Sequence, residues 1–465
     1  MERFMKIAIV GAGFTGTALA IALLDRAPAG TTLVLIEPRG VYGRGLAYST
    51  DDPRHLLNVA AGRMSVRADQ PDHLTRWLAR QPAASAAPYD ADSFIPRELY
   101  GRYLGESLDR AEATACAGLR RVPDEVVDVD RLGSGFRLRL RQGGALSADA
   151  VAICTGHPRS LAGTGRPSGG TIWTDDAASI GRDDRVLLVG TGLTMVDRVL
   201  TLVGRGHRGP ITAVSRRGRL HLPHLPQRAQ PVSVSVAEAR PRLLPLLRAV
   251  RSAVRAAQSR GCDWRAVLDG LRPHIQRVWN GLSTEEKRRA IRHLRPYWDT
   301  HRHRMAPQVA AEIAALIATE RLEVLAARYE SIERGEAGLV VRYRRRGRRV
   351  TTVRSFDHVM DCAGVDLDVT RERGTLPASL VDGGLAAPGP LGLGLDVDPA
   401  GRCFNAAGRV EHGLFALGPL ARGVLWEITA VGEIRQQCLE AAHALLAARA
   451  ERHAGAVIEA APAPL

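Results

Sequence analysis

A strand followed by a glycine-rich turn and a helix occurs twice in this chain of 465 residues. The apolar run 6–10 leads into VGAGFTG, and the apolar run 185–189 leads into VGTGLTM. In both cases a second strand, a β-meander, a buried strand and a closing glycine follow, so that one order spans residues 11–156 and again 190–364. A G-x-G turn between a strand and a helix is typical of dinucleotide-binding α/β folds. The repeated order therefore predicts two such folds in one chain.

The first glycine turn has three glycines at the spacing that a bound dinucleotide requires. Gly11 permits the tight turn, Gly13 lets the backbone approach a pyrophosphate, and Gly16 lets the helix pack closely on the strand. Free N–H groups at the start of the helix offer a site for phosphate oxygens. Glu37 ends the second strand, 21 residues after Gly16, where an acid holds the adenosine ribose hydroxyls. We interpret these four residues as a dinucleotide site.

Segments far down the chain indicate which dinucleotide binds there. The sequence CTG, which ends in Thr155 and Gly156, is typical of the strand-end turn that closes an FAD domain. Near the C-terminus, GLFALGPLARGVLWE is typical of the last strand and helix that contact FAD. FAD is long and must be covered by separate parts of the chain. We therefore predict FAD as the first cofactor.

The second glycine turn predicts a separate site for NAD(P)H. Gly190 and Gly192 occupy the two positions that serve phosphate binding, whereas Met195 replaces the third glycine, and we expect looser helix–strand packing there. At the end of the next strand, where an NAD-binding fold has an acid, this chain has Arg216 and Arg217. Arginine suits a 2′-phosphate through bidentate hydrogen bonds, so we expect NADPH rather than NADH. The alternative is that these arginines form a solvated edge.

Charge and cysteine content restrict the function classes. Net charge is +15, but aromatic residues are only 5% and interleave with no basic block, so a nucleic-acid partner is not expected. The absence of a Cys-x-x-Cys pair argues against a dithiol reductase and for a reducing compartment. The apolar stretch 7–24 contains the glycine turn, and we interpret it as strand, turn and helix rather than as a signal or membrane segment. We expect a cytoplasmic protein with no membrane partner and no metal site.

The order of elements predicts four regions. Residues 1–180 are the N-terminal part of an FAD-binding domain, and residues 366–465 return to it. Residues 181–235 and 318–365 form an NAD(P)-binding domain. Residues 236–317 are a helical insert, which could be a substrate lid or an oligomer interface, and a homo-oligomer is compatible with the sequence. The predicted fold class is α/β, with two Rossmann-like dinucleotide-binding domains, β-meanders and the helical insert.

Motifs spread over the chain carry a resemblance to a known family. They are YGRGLAYSTDDPRHLLNV, FIPRELYGRYL, VGTGLTMVD, AVSRRG, THRHRMAP and GPLARGVLWEITAVGEIR. Together they resemble the FAD/NAD(P)-binding flavoprotein family, which is distantly similar to the ornithine and lysine N-hydroxylases. The resemblance covers nearly the whole chain and implies FAD and NADPH or NADH as cofactors.

The resemblance also implies which residues face the flavin. Arg44, His55, Asn58, Arg97 and Tyr100 lie in segments that wrap the isoalloxazine side in that family. Asn58 is a candidate for hydrogen bonding to the flavin or its oxygen adduct, with a structural loop role as the alternative. Arg97 and Tyr100 are three residues apart and therefore neighbours on one helical face.

One position departs from the pattern of many two-dinucleotide flavoproteins. These have a Gly-Asp pair in the last strand, and the acid contacts the ribityl chain or a phosphate. Here the pair is Gly418-Pro419, so we expect no carboxylate contact at that position. Glu427 is a candidate to face the flavin region instead, and a helix-capping role is equally open.

The basic motif at residues 301–304 supplies a further candidate. His301 is an acid or base near neutral pH if it faces a site. On a helix, His301 and Arg304 share a face. The alternative is a solvent-exposed basic cluster. The candidate catalytic residues are therefore Asn58, Arg97 and His301.

FAD and NAD(P)H without a redox-active cysteine pair leave a short list of reactions. The resemblance favours oxygen transfer from a flavin C4a-hydroperoxide formed with dioxygen. We predict an NAD(P)H-consuming FAD monooxygenase that hydroxylates a small polar anionic molecule, and urate, hydroxylated at C5 in purine metabolism, is the named substrate. The alternatives are an N-hydroxylase of an amino acid or amine, and an NAD(P)H:flavin reductase that passes electrons to a protein partner.

Overall fold

The structure is a computed structural model, and it describes most of the chain. The predicted domain boundaries at 235–236 and 365–366 lie outside the described residues, and so do residues 226–229. Side chains are described up to residue 447. The described ranges are 5–81, 88–156, 177–225, 230–234, 242–336, 338–364, 367–371 and 373–459.

The described residues form strands and helices that alternate along most of the chain. The strands are β1 Lys6–Val10, β2 Thr32–Ile36, β3 Gly118–Val122, β4 Val126–Leu132, β5 Gly135–Leu140, β6 Ala145–Ala148, β7 Ala150–Ile153, β8 Val186–Val189, β9 Ile211–Ser215, β10 Leu322–Gly335, β11 Gly338–Arg345, β12 Thr351–Phe356, β13 His358–Asp361, β14 Arg402–Phe404 and β15 Val410–Ala416. The helices are α1 Phe14–Leu24, α2 His73–Leu78, α3 Arg97–Thr114, α4 Leu193–Gly204, α5 Leu243–Gln258, α6 Trp264–Leu271, α7 Ile275–Gly281, α8 Thr284–Arg289, α9 Arg295–Arg302, α10 Pro307–Ala318, α11 Leu376–Asp382 and α12 Val431–Glu459.

The first compact unit contains residues 1–51, 60–158 and 367–465. Its main sheet has the order β14-β15-β7-β1-β2-β3, in which β1 pairs in parallel with β2 and β7. The central strands are apolar runs that are buried almost throughout, as expected for a parallel sheet covered on both faces. α1 is apolar all round and every one of its residues is buried, because it contacts both α3 and α12. A three-stranded meander, β4-β5-β6, accompanies this sheet.

The second compact unit contains residues 52–59 and 159–366. Its sheet has the order β12-β11-β10-β9-β8-β13, and β8 pairs in parallel with β9 and β13. β10 is parallel to β9 over residues 322–326 and antiparallel to β11 from Ala327 onward, and a register shift between Tyr329 and Ser331 interrupts the antiparallel pairing. One long strand therefore joins the parallel part of the sheet to its meander.

Between β9 and β10, residues 243–318 contain α5 to α10, and we call this segment the helical region. Ser283 caps α8 by accepting a hydrogen bond from the backbone N–H of Glu286. None of the described helices is both long enough and apolar enough to span a lipid bilayer. Two parallel-stranded α/β units with meanders and a helical segment confirm the predicted fold class.

Candidate dinucleotide sites

The backbone geometry of the first glycine turn requires glycine at two of its three positions. Gly11 has a φ of +98°, and a Cβ there would lie 2.6 Å from the Cys154 carbonyl oxygen. A Cβ on Gly16 would collide with the Gly11 carbonyl oxygen. Both glycines are therefore needed for α1 and the neighbouring strand end to approach the turn.

Packing within the protein does not require glycine at the middle position. Gly13 has a φ of −72°, and a Cβ on it would meet only the Cα of Gly45, at 3.5 Å, which is ordinary van der Waals contact. No described side chain caps the start of α1 at this point. Backbone N–H groups at a helix start, next to a glycine that packing does not demand, are the features that a phosphate group needs.

Glu37 lies at the mouth of this turn. Its carboxylate accepts hydrogen bonds from the backbone N–H of Ala12, at 3.1 Å, and from the guanidinium of Arg39, at 3.3 Å, and the residue is 7% exposed. Close by, the buried Tyr42 hydroxyl has no hydrogen-bond partner among the described residues, and burial raises the pKa of Tyr42. The Arg121 guanidinium lies 5.7 Å from the centre of the Tyr42 ring. A buried acceptor and an unsatisfied hydroxyl fit the ribose and base of a bound nucleotide.

The loop that carries Arg44 is held against the glycine turn by its own glycines. The N–H of Gly43 donates to the Ala12 carbonyl at 3.0 Å, and a Cβ on Gly43 would lie 2.8 Å from the backbone nitrogen of Gly105 in α3. The Arg44 side chain lies over α3, with its Cγ 3.1 Å from the Cβ position of Gly101. Arg44 is therefore beside the predicted FAD turn.

The predicted residues of α3 differ in exposure. Arg97 is the first residue of the helix, and its charge acts on Tyr48, whose pKa burial raises to about 12. Tyr100 is fully buried, and its hydroxyl donates to the Met64 carbonyl at 2.8 Å. Tyr100 therefore stabilises the unit internally, whereas Arg97 stands at the helix N-terminus.

Two chain segments end near the start of α1. Thr155 and Gly156 follow β7, and Gly156 has a φ of +74° with open space at its Cβ position. Gly418 follows β15 with a φ of +67°, and a Cβ there would lie 2.5 Å from the Thr15 hydroxyl oxygen. The Gly418 N–H donates to the Gln437 side-chain oxygen at 2.8 Å. Gly418 therefore closes the unit against α1 without the carboxylate that Gly-Asp would supply.

The second glycine turn repeats the geometry of the first. Gly190 has a φ of +130°, and a Cβ there would collide with the Cys362 carbonyl. Gly192 has a φ of −83°, and a Cβ on it would meet only the Nε2 of His221, at 3.9 Å. Met195 is fully buried, so the expected loosening of helix packing is wrong. Again the middle glycine is the one that packing does not demand.

A hydroxyl pair connects this turn to the arginines after β9. Thr191 Oγ1 donates to the Arg219 carbonyl at 2.7 Å and lies 2.9 Å from Ser215 Oγ. Ser215 Oγ also accepts the N–H of Gly218 at 3.0 Å. Because the Thr191 hydroxyl proton is already used, Ser215 donates to Thr191, and the whole network is satisfied.

The arginines themselves are arranged around an aromatic ring. The Arg217 and Arg219 guanidinium groups lie 5.3 Å and 4.3 Å from the centre of the Tyr297 ring in α9, and Arg216 is exposed. Sequence reasoning missed Arg219 and Tyr297, because nothing in the local spacing brings α9 to this turn.

His221 and His301 have defined partners. His221 Nδ1 donates to the His303 carbonyl at 2.5 Å, and burial lowers the pKa of His221. His301 Nδ1 donates to the Tyr297 carbonyl at 2.8 Å, and its ring packs edge-on against Trp264 at 4.9 Å between centres. His221, which the sequence analysis did not single out, is thus the histidine beside the second glycine turn.

The expected shared face of His301 and Arg304 is wrong, because α9 ends at Arg302. Arg304 turns inward, is 3% exposed, and pairs with Asp269 at 3.0 Å. It is therefore a buried structural residue and not part of an exposed basic cluster.

The remaining candidates lie in the second unit. His224 Nε2 donates to the Asn58 backbone carbonyl at 3.0 Å, which fixes the Asn58 loop. His55 Nε2 lies 3.0 Å from both the Asp197 carbonyl and the Thr201 hydroxyl on α4. The structure therefore brings Arg44 and Arg97 to the first unit and assigns Asn58, His55 and His301 to the second unit.

The cysteines are all free, and most are buried. Burial raises the pKa of the Cys362 thiol to about 12 and raises the pKa values of the Cys154, Cys403 and Cys438 thiols. Buried thiols with raised pKa values are poor nucleophiles at neutral pH. Among the described residues no group of three or more metal-ligating side chains is found.

Fold and glycine turns together define an α/β protein with two dinucleotide-binding folds. Residues 8–158, which contain the first turn, match the family model described as FAD-NAD(P)-binding. The predicted cofactors are thereby confirmed as FAD and NAD(P). No curated protein sequence matches the chain.

Solved structures share the fold over nearly the whole length of the chain. L-lysine 6-monooxygenase from Pseudomonas syringae is 17% identical with a TM-score of 0.62, and the match covers 96% of this chain and 100% of that one. Ornithine N-hydroxylase from Kutzneria sp. 744 is 14% identical with a TM-score of 0.62, covering 96% and 99%. Thioredoxin reductase from Lactococcus lactis is 14% identical with a TM-score of 0.52, covering 97% and 100%. At these identities the likeness establishes the fold.

Proposed function

We propose that this protein is an FAD-dependent, NAD(P)H-consuming monooxygenase that hydroxylates a primary amine of an amino acid or a related small amine. The use of both FAD and NAD(P)H is supported by one observation that is made in each unit. In each glycine turn the middle glycine, Gly13 or Gly192, is open to a ligand and is not demanded by the protein's own packing. Two such sites on one chain suit an enzyme that takes hydride from NAD(P)H onto a flavin.

The cysteines support oxygen transfer over disulfide reduction. A flavin disulfide reductase needs a pair of reactive thiols near the flavin. This chain has no Cys-x-x-Cys pair, and its thiols at positions 154, 362, 403 and 438 are buried and free, with raised pKa values. Dioxygen is then the acceptor that needs no further protein group.

The substrate class rests on the relatives. Two of the solved structures with this fold are named as enzymes that hydroxylate lysine or ornithine. None of the comparisons supports urate, so of the substrates that the sequence left open we favour the amine.

The proposed roles follow the geometry. In the first unit Gly11, Gly13 and Gly16 hold the FAD pyrophosphate, Glu37 holds the ribose, and Arg44 supplies positive charge beside the phosphates. Thr155, Gly156 and Gly418 close that site. In the second unit Gly190 and Gly192 hold the pyrophosphate of NADPH, and the arginines after β9 bind its 2′-phosphate. When bound, FAD supplies the electron transfer and the activation of oxygen.

Three candidates for contact with the substrate or the flavin, Arg97, Asn58 and His301, differ in their surroundings. Arg97 is half-buried at the start of α3, and we propose that its charge contacts an anionic group. Asn58 is half-buried on a loop that His224 fixes through the backbone. His301 is engaged with Trp264 and Tyr297, which favours a structural role over acid–base catalysis.

The test is a turnover screen on the purified, FAD-loaded protein. NADPH and NADH oxidation and oxygen uptake are followed with lysine, ornithine, diamines and urate, and products are analysed for hydroxylamines. We expect an amine to accelerate NADPH oxidation with matched oxygen uptake and an N-hydroxylated product. Acceleration by urate with a hydroxylated purine would overturn the substrate class. Fast NADPH oxidation that yields no hydroxylated product with any substrate would instead support an electron-donating flavin reductase.

A further inference from the structure

Tyr297 lies where two parts of the second unit meet. It belongs to α9 of the helical region, and the arginines around its ring belong to the turn after β9. The Tyr297 side chain is 38% exposed, so its ring is an accessible surface rather than a core element. An exposed aromatic ring with two guanidinium groups against it attracts both groups and restricts where they lie.

Within the described ranges, the positive charge around Tyr297 has no carboxylate partner. Many arginines of this chain pair with carboxylates, as Arg289 does with Glu285 and Arg304 does with Asp269. Among the described residues, Arg217, Arg219 and the neighbouring Arg346 form no ion pair. The pKa of Tyr297 is lowered by a hydrogen bond from Arg219 and by the charges of Arg219, Arg217 and Arg346. Uncompensated positive charge of this density is the signature of an anion site.

The location of these arginines in the fold indicates which anion they bind. The turn that carries Arg217 and Arg219, which we call the arginine turn, follows β9. It is hydrogen-bonded to the second glycine turn through Thr191 and Ser215. In a dinucleotide-binding fold the end of this strand faces the adenosine ribose, where NADP has a 2′-phosphate and NAD has a hydroxyl. A phosphate with two guanidinium groups forms strong charge-assisted hydrogen bonds.

We propose that Tyr297 is a positioning residue for cofactor selection: it orders Arg217 and Arg219 as a pair that binds the 2′-phosphate of NADPH. The helical region is therefore part of the NADP site, which gives it a role that neither a substrate lid nor an oligomer interface describes. This inference rests on the proposed NADPH site, and it is independent of which substrate is hydroxylated.

A binding experiment tests it without turnover. The full-length, FAD-loaded protein is titrated by calorimetry with 2′,5′-ADP and, separately, with 5′-ADP. We expect Tyr297→Ala to weaken 2′,5′-ADP binding by about fivefold to thirtyfold, as two cation–π contacts predict, and to leave 5′-ADP binding unchanged. Tyr297→Phe keeps the ring and should retain most of the affinity.

Lys287→Ala is the matched control, because it removes a cation that lies over another aromatic ring of the helical region, 5.5 Å from the centre of the Trp279 ring. It should leave both affinities unchanged. Equal binding of the two probes by the wild type, or equal losses for both probes in Tyr297→Ala, overturns the inference. A wild type that selects 2′,5′-ADP but hydroxylates no amine leaves the inference standing and removes only the proposed function.

Discussion

The hydroxyl of Thr191 donates a hydrogen bond to the carbonyl oxygen of Arg219 at 2.7 Å and accepts one from the hydroxyl of Ser215 at 2.9 Å. One side chain of the second glycine turn therefore fixes the backbone of the arginine turn that follows β9. In the proposed NADPH site, the glycine turn and the arginines therefore share one rigid element. This relationship gives the first prediction.

Thr191→Val keeps the shape of the side chain and removes both hydrogen bonds. We expect a several-fold loss of 2′,5′-ADP affinity and a loss of about 1 to 2 kcal/mol of stability, because the partners are left partly unsatisfied. Thr201→Val is the control: Thr201 lies near the end of α4, away from the glycine turn, and the variant removes its hydroxyl contact with His55. Equal effects of the two variants on nucleotide affinity would contradict the assignment.

Gly192→Ala tests the open glycine directly. Its φ of −83° and the open space around its Cβ position let alanine fold there without strain. The added methyl group blocks the approach of a pyrophosphate, so we expect at least tenfold weaker NADPH binding with normal FAD content. Gly13→Ala is the reciprocal variant and should lose FAD instead. Visible absorbance measures FAD, and nucleotide titration measures NADPH; normal NADPH affinity in Gly192→Ala would remove the second site as described.

Arg304→Met breaks a buried ion pair. It leaves the Asp269 carboxylate, 17% exposed, without its partner, and we expect a loss of about 3 to 5 kcal/mol of unfolding free energy. Arg289→Met breaks the exposed pair with Glu285 in the same helical region and should cost less than about 1 kcal/mol. Denaturant unfolding measures both. Similar costs for the two variants would mean that Arg304 is not a buried structural residue.

Acid should destabilise the second unit through His224. Burial lowers the pKa of His224 to about 4, from an ordinary value near 6.5. Between these two values the unfolded chain binds a proton that the folded protein does not, so stability falls as pH falls from about 6.5 to about 4. His224→Gln keeps a donor for the Asn58 carbonyl and should flatten this part of the Tm–pH curve. The exposed His293→Gln serves as control and should leave the slope unchanged.

Spacing in the sequence was sufficient to find both glycine turns. Gly11 and Gly190 have positive φ values that follow from their place between strand and helix, and local chemistry specifies that place. The ends of helices were harder, because helical periodicity places His301 and Arg304 on one face only while the helix continues. α9 ends at Arg302, and Arg304 lies inward, where it pairs with Asp269, 35 residues earlier in the chain.

Contacts between distant segments could not be predicted. Tyr297 and Arg219 are far apart in the chain, and no periodicity relates α9 to the turn after β9. The same holds for His221, which is oriented by a carbonyl 82 residues away. At Met195 the departure from the glycine pattern predicted looser helix packing, whereas the structure buries the larger side chain completely.

The sheet of the first unit is completed by β15, which pairs with β7 so that Leu414 lies opposite Val151. A ribosome makes β7 early and β15 only after every residue of the second unit has been polymerised, so β7 remains an open edge for much of translation. The turn at Gly418, which closes against Thr15 at the start of α1, emerges later still. We therefore expect FAD to bind late in the biosynthesis of this protein, and we expect a nascent chain that stalls before β15 to expose an unpaired, aggregation-prone strand edge.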